Sequence, residues 1–189
     1  IILIISIKLY RSKKMNAAYI YLQLYRLFDD TTPVAVDCGQ LCGSACCKDD
    51  DDGDNGMYLF PGEKEVLKLL KPSWAKIERS DFSYEYEGKT YNVPIALCSG
   101  ECDRYSRPLA CRIFPLTPHL NNEGKMEIII DPRAKKICPL TRLYMEDFDP
   151  AFVRNVKRCF SLLMHSRHFS AFMKEYSAYI DEYLRFFNK

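Results

Sequence analysis

Cysteine is the residue type in this chain whose spacing is best suited to chemistry. Gaps of two to four residues between cysteines let one tight loop direct two sulfur atoms at the same metal ion. Eight of the nine cysteines fall between residues 38 and 138, and most of them have such a neighbour. We therefore predict eight metal ligands in two clusters and one isolated position: Cys38, Cys42, Cys46, Cys47; Cys98, Cys102, Cys111; and Cys138.

The surroundings of the first cluster, DCGQLCGSACCK, distinguish it from buried cysteines. A packed thiol behaves as a small hydrophobic residue, whereas these neighbours are polar and rich in glycine. Gly39 and Gly43 favour a folded loop over a regular helix. Cys159 is different, because it shares an apolar helix face with Phe160 and Leu163. We expect Cys159 to be a core residue and not a ligand.

The predicted ligand set does not determine which metal is bound or how the cysteines divide between metal sites. In an extended backbone, adjacent side chains point to opposite sides, so Cys46 and Cys47 are expected to serve two metals or two corners of one cluster. The eight cysteines could form two four-cysteine sites, or one such site plus bystanders. A set of sulfur ligands suits both Zn²⁺ and an iron–sulfur cluster. The adjacent pair and the glycine-rich spacing slightly favour iron–sulfur.

Cationic side chains are expected near the cysteines, because four thiolates around one Zn²⁺ leave a net negative charge. Five basic residues lie within a few positions of a candidate ligand, although an ordinary solvated surface would have the same composition: Arg104, Arg107, Arg112, Lys135 and Lys136. The three histidines lie outside the cysteine clusters and are expected to be surface or capping residues. The chain contains no GxGxxG, P-loop, GxSxG or HExxH motif, so no catalytic or cofactor-binding residue is predicted.

Helical and strand patterns surround the cysteine-rich middle. Apolar residues recur at helical spacing from residue 15 to about residue 30, and two amphipathic helices follow Asp149. Glu87, Gly88 and Lys89 separate two short strands of a predicted hairpin, and a further strand is predicted at 126–130. We predict an α+β fold in which residues 15–189 form one domain. Its small, irregular, metal-stapled core contains short hairpins, with one helix before it and two helices after it.

The charge distribution and the apolar segments of the chain indicate which classes of partner to expect. The 27 basic and 25 acidic residues are spread along the 189-residue chain, so no nucleic-acid partner is expected. Ile1–Lys14 contains an apolar run that is too short for a membrane helix of about 20 residues, and it lacks the features of an export signal. We interpret residues 1–14 as an upstream or disordered extension and expect no membrane association. A cytoplasmic location follows, where disulfides are rare and clustered cysteines indicate metal.

The motifs CGQLCGSACC, LCSGEC, RPLACRIFPL and ICPL resemble those of the YkgJ-like cysteine-cluster family, whose members are described as zinc- or iron-chelating proteins. The resemblance covers about Cys38 to Leu140. It implies metal binding through these cysteines. By motif it extends to the flagellin lysine methylase, an iron–sulfur protein that is much longer than this chain.

Two functional classes follow from these observations. The first is a metal-binding protein that holds zinc or an iron–sulfur cluster through its cysteines, with a protein partner that the sequence does not identify. The second is an iron–sulfur enzyme, either redox-active or similar to a protein-lysine methylase. We favour the first, because no nucleotide- or phosphate-binding loop is visible.

The acidic run DDDDGDNG is predicted to be a solvated loop and not a calcium site. Counted from Asp51, Gly53 and Gly62 occupy the third and twelfth positions, where a calcium loop needs oxygen ligands. Replacing the four aspartates at positions 50, 51, 52 and 54 with serine should therefore leave metal content and melting temperature almost unchanged. Thermal unfolding with and without calcium checks this. Calcium-dependent stabilisation that disappears in the variant would contradict it.

Overall fold

The computed structural model describes residues 16–48, 56–100 and 102–187. The predictions for residues 1–14 and for the acidic residues 49–55 lie outside these ranges. Within them the chain mixes helices with small antiparallel sheets, which confirms the predicted α+β class.

The helices lie mainly at the two ends of the described chain. Four short 3₁₀ turns accompany them, at Ala45–Cys47, Pro132–Lys136, Pro139–Arg142 and Met145–Asp147. The helices are α1 (16–26), α2 (Cys38–Cys42), α3 (Lys64–Leu70), α4 (Leu109–Ile113), α5 (Pro150–Leu163) and α6 (Arg167–Phe187). The strands are β1 (Gly56–Tyr58), β2 (Ala75–Tyr86), β3 (Lys89–Cys98), β4 (Leu116–Leu120) and β5 (Met126–Ile130).

Two antiparallel sheets form the β part of the fold. The first has the order β1-β3-β2, and the second pairs β4 with β5. The predicted hairpin is present and longer than expected, because Ala75 pairs with Cys98 at its far end. Glu87 and Gly88 form its two-residue turn with φ of 49° and 70°, the backbone conformation that matches the twist of a tight hairpin. This hairpin carries Cys98 at the end of β3.

The start of α5 is specified by a cap. The Asp149 carboxylate accepts hydrogen bonds from the backbone N–H groups of Ala151 and Phe152, and Pro150 occupies the first turn. The predicted apolar face of α5 is buried, and so are Phe169, Phe172, Tyr176 and Ile180 of α6.

Aromatic rings fill the centre of the core. Phe60, which follows β1, lies with its ring centroid 5.2 Å from that of Phe160 and 5.8 Å from that of Phe172. Such edge-to-face contacts contribute specific geometry in addition to buried area. They attach the C-terminal helices to the segment that leads into α3.

A buried carboxylate ties the segments around this core together. Glu63, which is fully buried, accepts hydrogen bonds from the Tyr25 hydroxyl (2.7 Å), the Phe60 N–H (2.9 Å) and the Leu109 N–H (2.6 Å). Burial raises the pKa of Glu63, and these three hydrogen bonds oppose that effect by lowering it. Through Glu63, helix α1 and helix α4 are held against the start of α3.

Replacing Glu63 with glutamine should destabilise the fold by about 1–3 kcal/mol, because an amide NH₂ would face a buried N–H or O–H donor. Urea unfolding measures this loss. The matched control is Glu146→Gln at an exposed position, which should change stability by no more than about 0.5 kcal/mol. Equal effects of the two substitutions would show that the three hydrogen bonds contribute nothing specific.

Candidate metal centre

Three separate parts of the chain bring their cysteines to one cavity. The cavity has a volume of about 540 Å³. Its wall includes the N-terminal cysteine segment, helix α4 with the loop before it, and the 3₁₀ turn that follows Cys138. Seven of the eight predicted ligands line it: Cys38, Cys42, Cys46, Cys47, Cys102, Cys111 and Cys138.

The eighth predicted ligand, Cys98, lines an adjoining chamber of about 220 Å³. Four cysteines of the larger cavity also line this chamber, namely Cys46, Cys47, Cys102 and Cys111. Its remaining wall is largely apolar and includes Met57, Trp74 and Ala96. The structure therefore places all eight predicted ligands around two neighbouring cavities.

The first cysteine segment is more regular than predicted. Residues 38–42 form one helical turn, because the Asp37 carboxylate accepts a hydrogen bond from the Gly39 N–H at 3.0 Å and caps it. Gly43 ends the turn with φ of 60°, which glycine adopts at little cost. The expectation of an irregular loop was therefore wrong for this part, where the cap outweighs the glycine content.

The expected divergence of Cys46 and Cys47 is also wrong. These residues lie in a 3₁₀ turn and not in an extended segment, and their Sγ atoms are 4.0 Å apart. Two thiolates on one tetrahedral Zn²⁺ would lie about 3.8 Å apart, given Zn–S bonds of about 2.3 Å. Adjacency in the sequence therefore does not force these two sulfur atoms onto different metals.

One of the five predicted cations contacts a thiol directly. The Arg107 Nε donates a hydrogen bond to the Cys102 Sγ at 3.2 Å. Arg104 lines the larger cavity and donates to the backbone oxygens of Phe28 and Thr31 at 2.8 and 3.2 Å. Lys135 and Lys136 are exposed. Arg107 is thus the cation best placed to stabilise thiolate charge.

Arg112 has a structural role that the sequence did not indicate. Its side chain is 2% exposed, and its guanidinium donates to the backbone oxygens of Tyr105 (2.9 Å), Arg107 (2.8 Å) and Arg104. It also lies over the Tyr25 ring, 4.4 Å from the centroid. Arg112 therefore shapes the loop that presents Cys102 and Arg107, and it does not neutralise thiolates itself.

The surroundings of Cys38, Cys102, Cys111 and Cys138 favour the protonated thiol, whereas the hydrogen bond with Cys47 lowers the pKa of Cys46. Burial is the main cause that raises the pKa of Cys38, Cys111 and Cys138, while neighbouring thiols raise it further. For Cys102, the hydrogen bond with the Cys47 thiol is the largest cause of a raised pKa. Closely spaced thiolates repel each other unless a cation lies among them, and a metal ion would supply that charge.

The donor set fits a soft metal in its chemistry. Sulfur lines the cavity on several sides, and the Thr141 backbone N–H donates to the Cys138 backbone oxygen at 3.1 Å, which holds the turn after that cysteine. Among the residues that the structure describes, no group of three or more His, Cys, Asp or Glu side chains is arranged as a metal site. The cysteines are gathered in one place, and the final ligand geometry is not formed.

The ninth cysteine and the histidines lie elsewhere. Cys159 is fully buried on α5, where burial raises its pKa. His119 is buried and bonds to the Asp181 carboxylate at 2.9 Å, so the expectation of a surface position was wrong for this residue. His168 bonds to the Tyr84 hydroxyl at 2.7 Å. None of these groups lines either cavity.

Trp74 is a wall residue that the sequence analysis missed. It lies just before β2, and its indole N–H donates to the Ser106 hydroxyl at 2.8 Å. With Leu59, Leu67 and Ala96 it forms a small hydrophobic cluster, against which Cys98 and Cys102 pack. The sequence contained one signal for this residue, because Trp74 is the single tryptophan of the chain.

Comparisons with known proteins find no match: no family model fits the chain, and no curated protein or solved structure is significantly similar. The resemblance to the YkgJ-like cysteine-cluster family therefore stays a prediction. Among the helices of the described residues, none has the length and apolar character needed to cross a membrane.

The comparison of Cys46→Ser with Cys159→Ser separates ligands from packing. Cys159→Ser should cost about 1–3 kcal/mol by burying an unpaired hydroxyl, and it should leave metal content unchanged. Cys46→Ser should loosen or remove the metal. Metal analysis together with urea unfolding of both variants checks this. The ligand assignment fails if Cys159→Ser loses metal while Cys46→Ser retains it.

Proposed function

We propose that this chain is a metal-binding protein whose clustered cysteines hold zinc or an iron–sulfur cluster, and that the metal centre staples the irregular middle of the fold. The observation that carries the proposal is the convergence of cysteines from three distant segments on two adjoining cavities. The ligands would be the eight predicted residues: Cys38, Cys42, Cys46, Cys47, Cys98, Cys102, Cys111 and Cys138.

The weak packing of the first cysteine segment supports this role. Neither the helical turn Cys38–Cys42 nor the 3₁₀ turn Ala45–Cys47 contains a buried residue. Hydrophobic burial therefore contributes little to the position of this segment. Metal binding can supply folding free energy directly, on the order of 10–16 kcal/mol for a structural zinc. A metal held jointly with Cys102, Cys111 and Cys138 would fix the segment against the core.

The lining of the larger cavity favours a metal-binding role over acid–base catalysis. In the described part of the chain, Asp37 is the single carboxylate of this wall, and no histidine contributes to it. The Asp37 carboxylate already serves as the cap of α2. General acid–base catalysis needs a positioned group whose protonation can change, and His, Asp and Glu are the usual residues.

Both metals remain part of the proposal. The slight preference for iron–sulfur depended on the adjacent pair Cys46 and Cys47 and on the glycine-rich spacing, and the 4.0 Å sulfur separation of the pair also suits one zinc ion. A centre of either kind would need thiolates, and Arg107 is positioned to stabilise the charge on Cys102.

Protein purified without oxygen should contain metal bound through cysteine. Elemental analysis and a visible absorption spectrum distinguish the two metals: a brown protein with iron and labile sulfide indicates a cluster, and a colourless protein with zinc indicates a zinc site. A normally folded protein that carries neither metal would contradict the proposal.

Metal removal should expose the cysteine-rich segments selectively. After treatment with a chelator, trypsin should cleave faster at Lys48 and Arg104, because these residues flank the predicted ligands Cys47 and Cys102. Arg158 on α5 is the internal control, since its helix is held by the aromatic core and should resist cleavage with or without metal. Equal acceleration at all three residues would mean global unfolding and not release of a local centre.

A further inference from the structure

We infer that the cysteines form two metal centres, an inner one at Cys47, Cys98, Cys102 and Cys111 and an outer one at Cys38, Cys42, Cys46 and Cys138. The inference rests on the proposed metal-binding function and assigns the division that the sequence leaves open. Two four-sulfur sets match the ligand number of a structural zinc site or of an iron–sulfur cluster.

The inner set is defined by the smaller chamber. Cys98 lines this chamber and not the larger cavity, together with Cys47, Cys102 and Cys111. Cys98 and Cys102 pack against the same hydrophobic cluster around Trp74. These contacts bring sulfur from two distant segments to one apolar chamber.

A close backbone approach fixes the inner set further. Gly100 has φ of 92°, and a Cβ atom added to it would lie 3.4 Å from the Cys47 backbone oxygen. Gly100, two residues after Cys98, therefore lies directly against Cys47. Arg107 borders the chamber and donates to Cys102, so the inner set has its own cation.

The outer set is defined by the larger cavity alone. Cys38, Cys42 and Cys138 line it and do not line the inner chamber. The Cys42 Sγ lies 3.5 Å from the Cys38 backbone oxygen, which places both residues on one side of the α2 turn. Cys138 immediately precedes the 3₁₀ turn whose Pro139 and Leu140 also line this cavity.

The boundary between the two sets falls between Cys46 and Cys47. The backbone oxygen of Cys47 lies against Gly100, beside the inner set, which leaves Cys46 as the fourth ligand of the outer set. The sulfur atoms of Cys46 and Cys47 are 4.0 Å apart, so the two centres would be close neighbours. Cys46 also borders the inner chamber, so the cysteines farthest from this boundary, Cys98 and Cys138, provide the decisive test.

The test compares Cys98→Ser with Cys138→Ser in the full chain, purified without oxygen. Each variant should retain half of the wild-type metal, the double variant should retain none, and Cys159→Ser should retain all of it. Loss of all metal in either single variant, or full retention in both, would overturn the division into two centres.

Cadmium provides a second measurement, and its first result needs no variant. Reduced, metal-free wild-type protein titrated with cadmium should bind two equivalents and give two cadmium NMR signals. Cys98→Ser should remove one signal, and Cys138→Ser the other. A single signal at saturation would overturn the inference while leaving the metal-binding function intact. A wild-type protein that binds no cadmium would instead overturn the metal-binding function itself.

Discussion

The buried carboxylate of Glu63 lies where the hydrophobic core meets the cysteine-rich half of the molecule. It accepts hydrogen bonds from α1, from the second residue after β1 and from the start of α4. An unpaired donor at any of these places would be costly, because no water can reach it. Helix α4 is only five residues long and carries Cys111, so it depends on such external contacts for its position. The position of the cysteine cavity therefore depends on the Glu63 side chain.

The two halves of the molecule are stabilised by different forces. Around Phe60, interlocking aromatic rings from α5 and α6 remove a large apolar area from water. The segment from Cys38 to Cys47 has almost no such burial and relies on a carboxylate cap and a left-handed glycine. A protein built this way can lose order in its cysteine-rich half while the helical half stays folded. In the function that we propose, the order of the cysteine-rich half would depend on whether its cysteines hold the metal.

Local patterns predicted the local elements well. The start of α5 followed from Asp149 and Pro150, and the hairpin turn followed from Gly88, because cap and turn chemistry act over a few residues. The grouping of the cysteines could be expected from spacing, and their division could not. The division that we propose depends on long-range contacts such as Gly100 against Cys47. The burial of Arg112 and His119 was missed for the same reason, since their partners are distant in sequence or are backbone atoms.

Arg112 recognises its loop almost entirely through main-chain oxygens. Every amino acid presents such an oxygen, so the contact does not depend on which side chains the loop carries. The positions at 104, 105 and 107 could therefore change in evolution while the loop keeps its shape. The conformation of the loop backbone is therefore held independently of the side chains that the loop carries. Different cations or aromatic groups could be presented to the same cysteines without redesigning the fold.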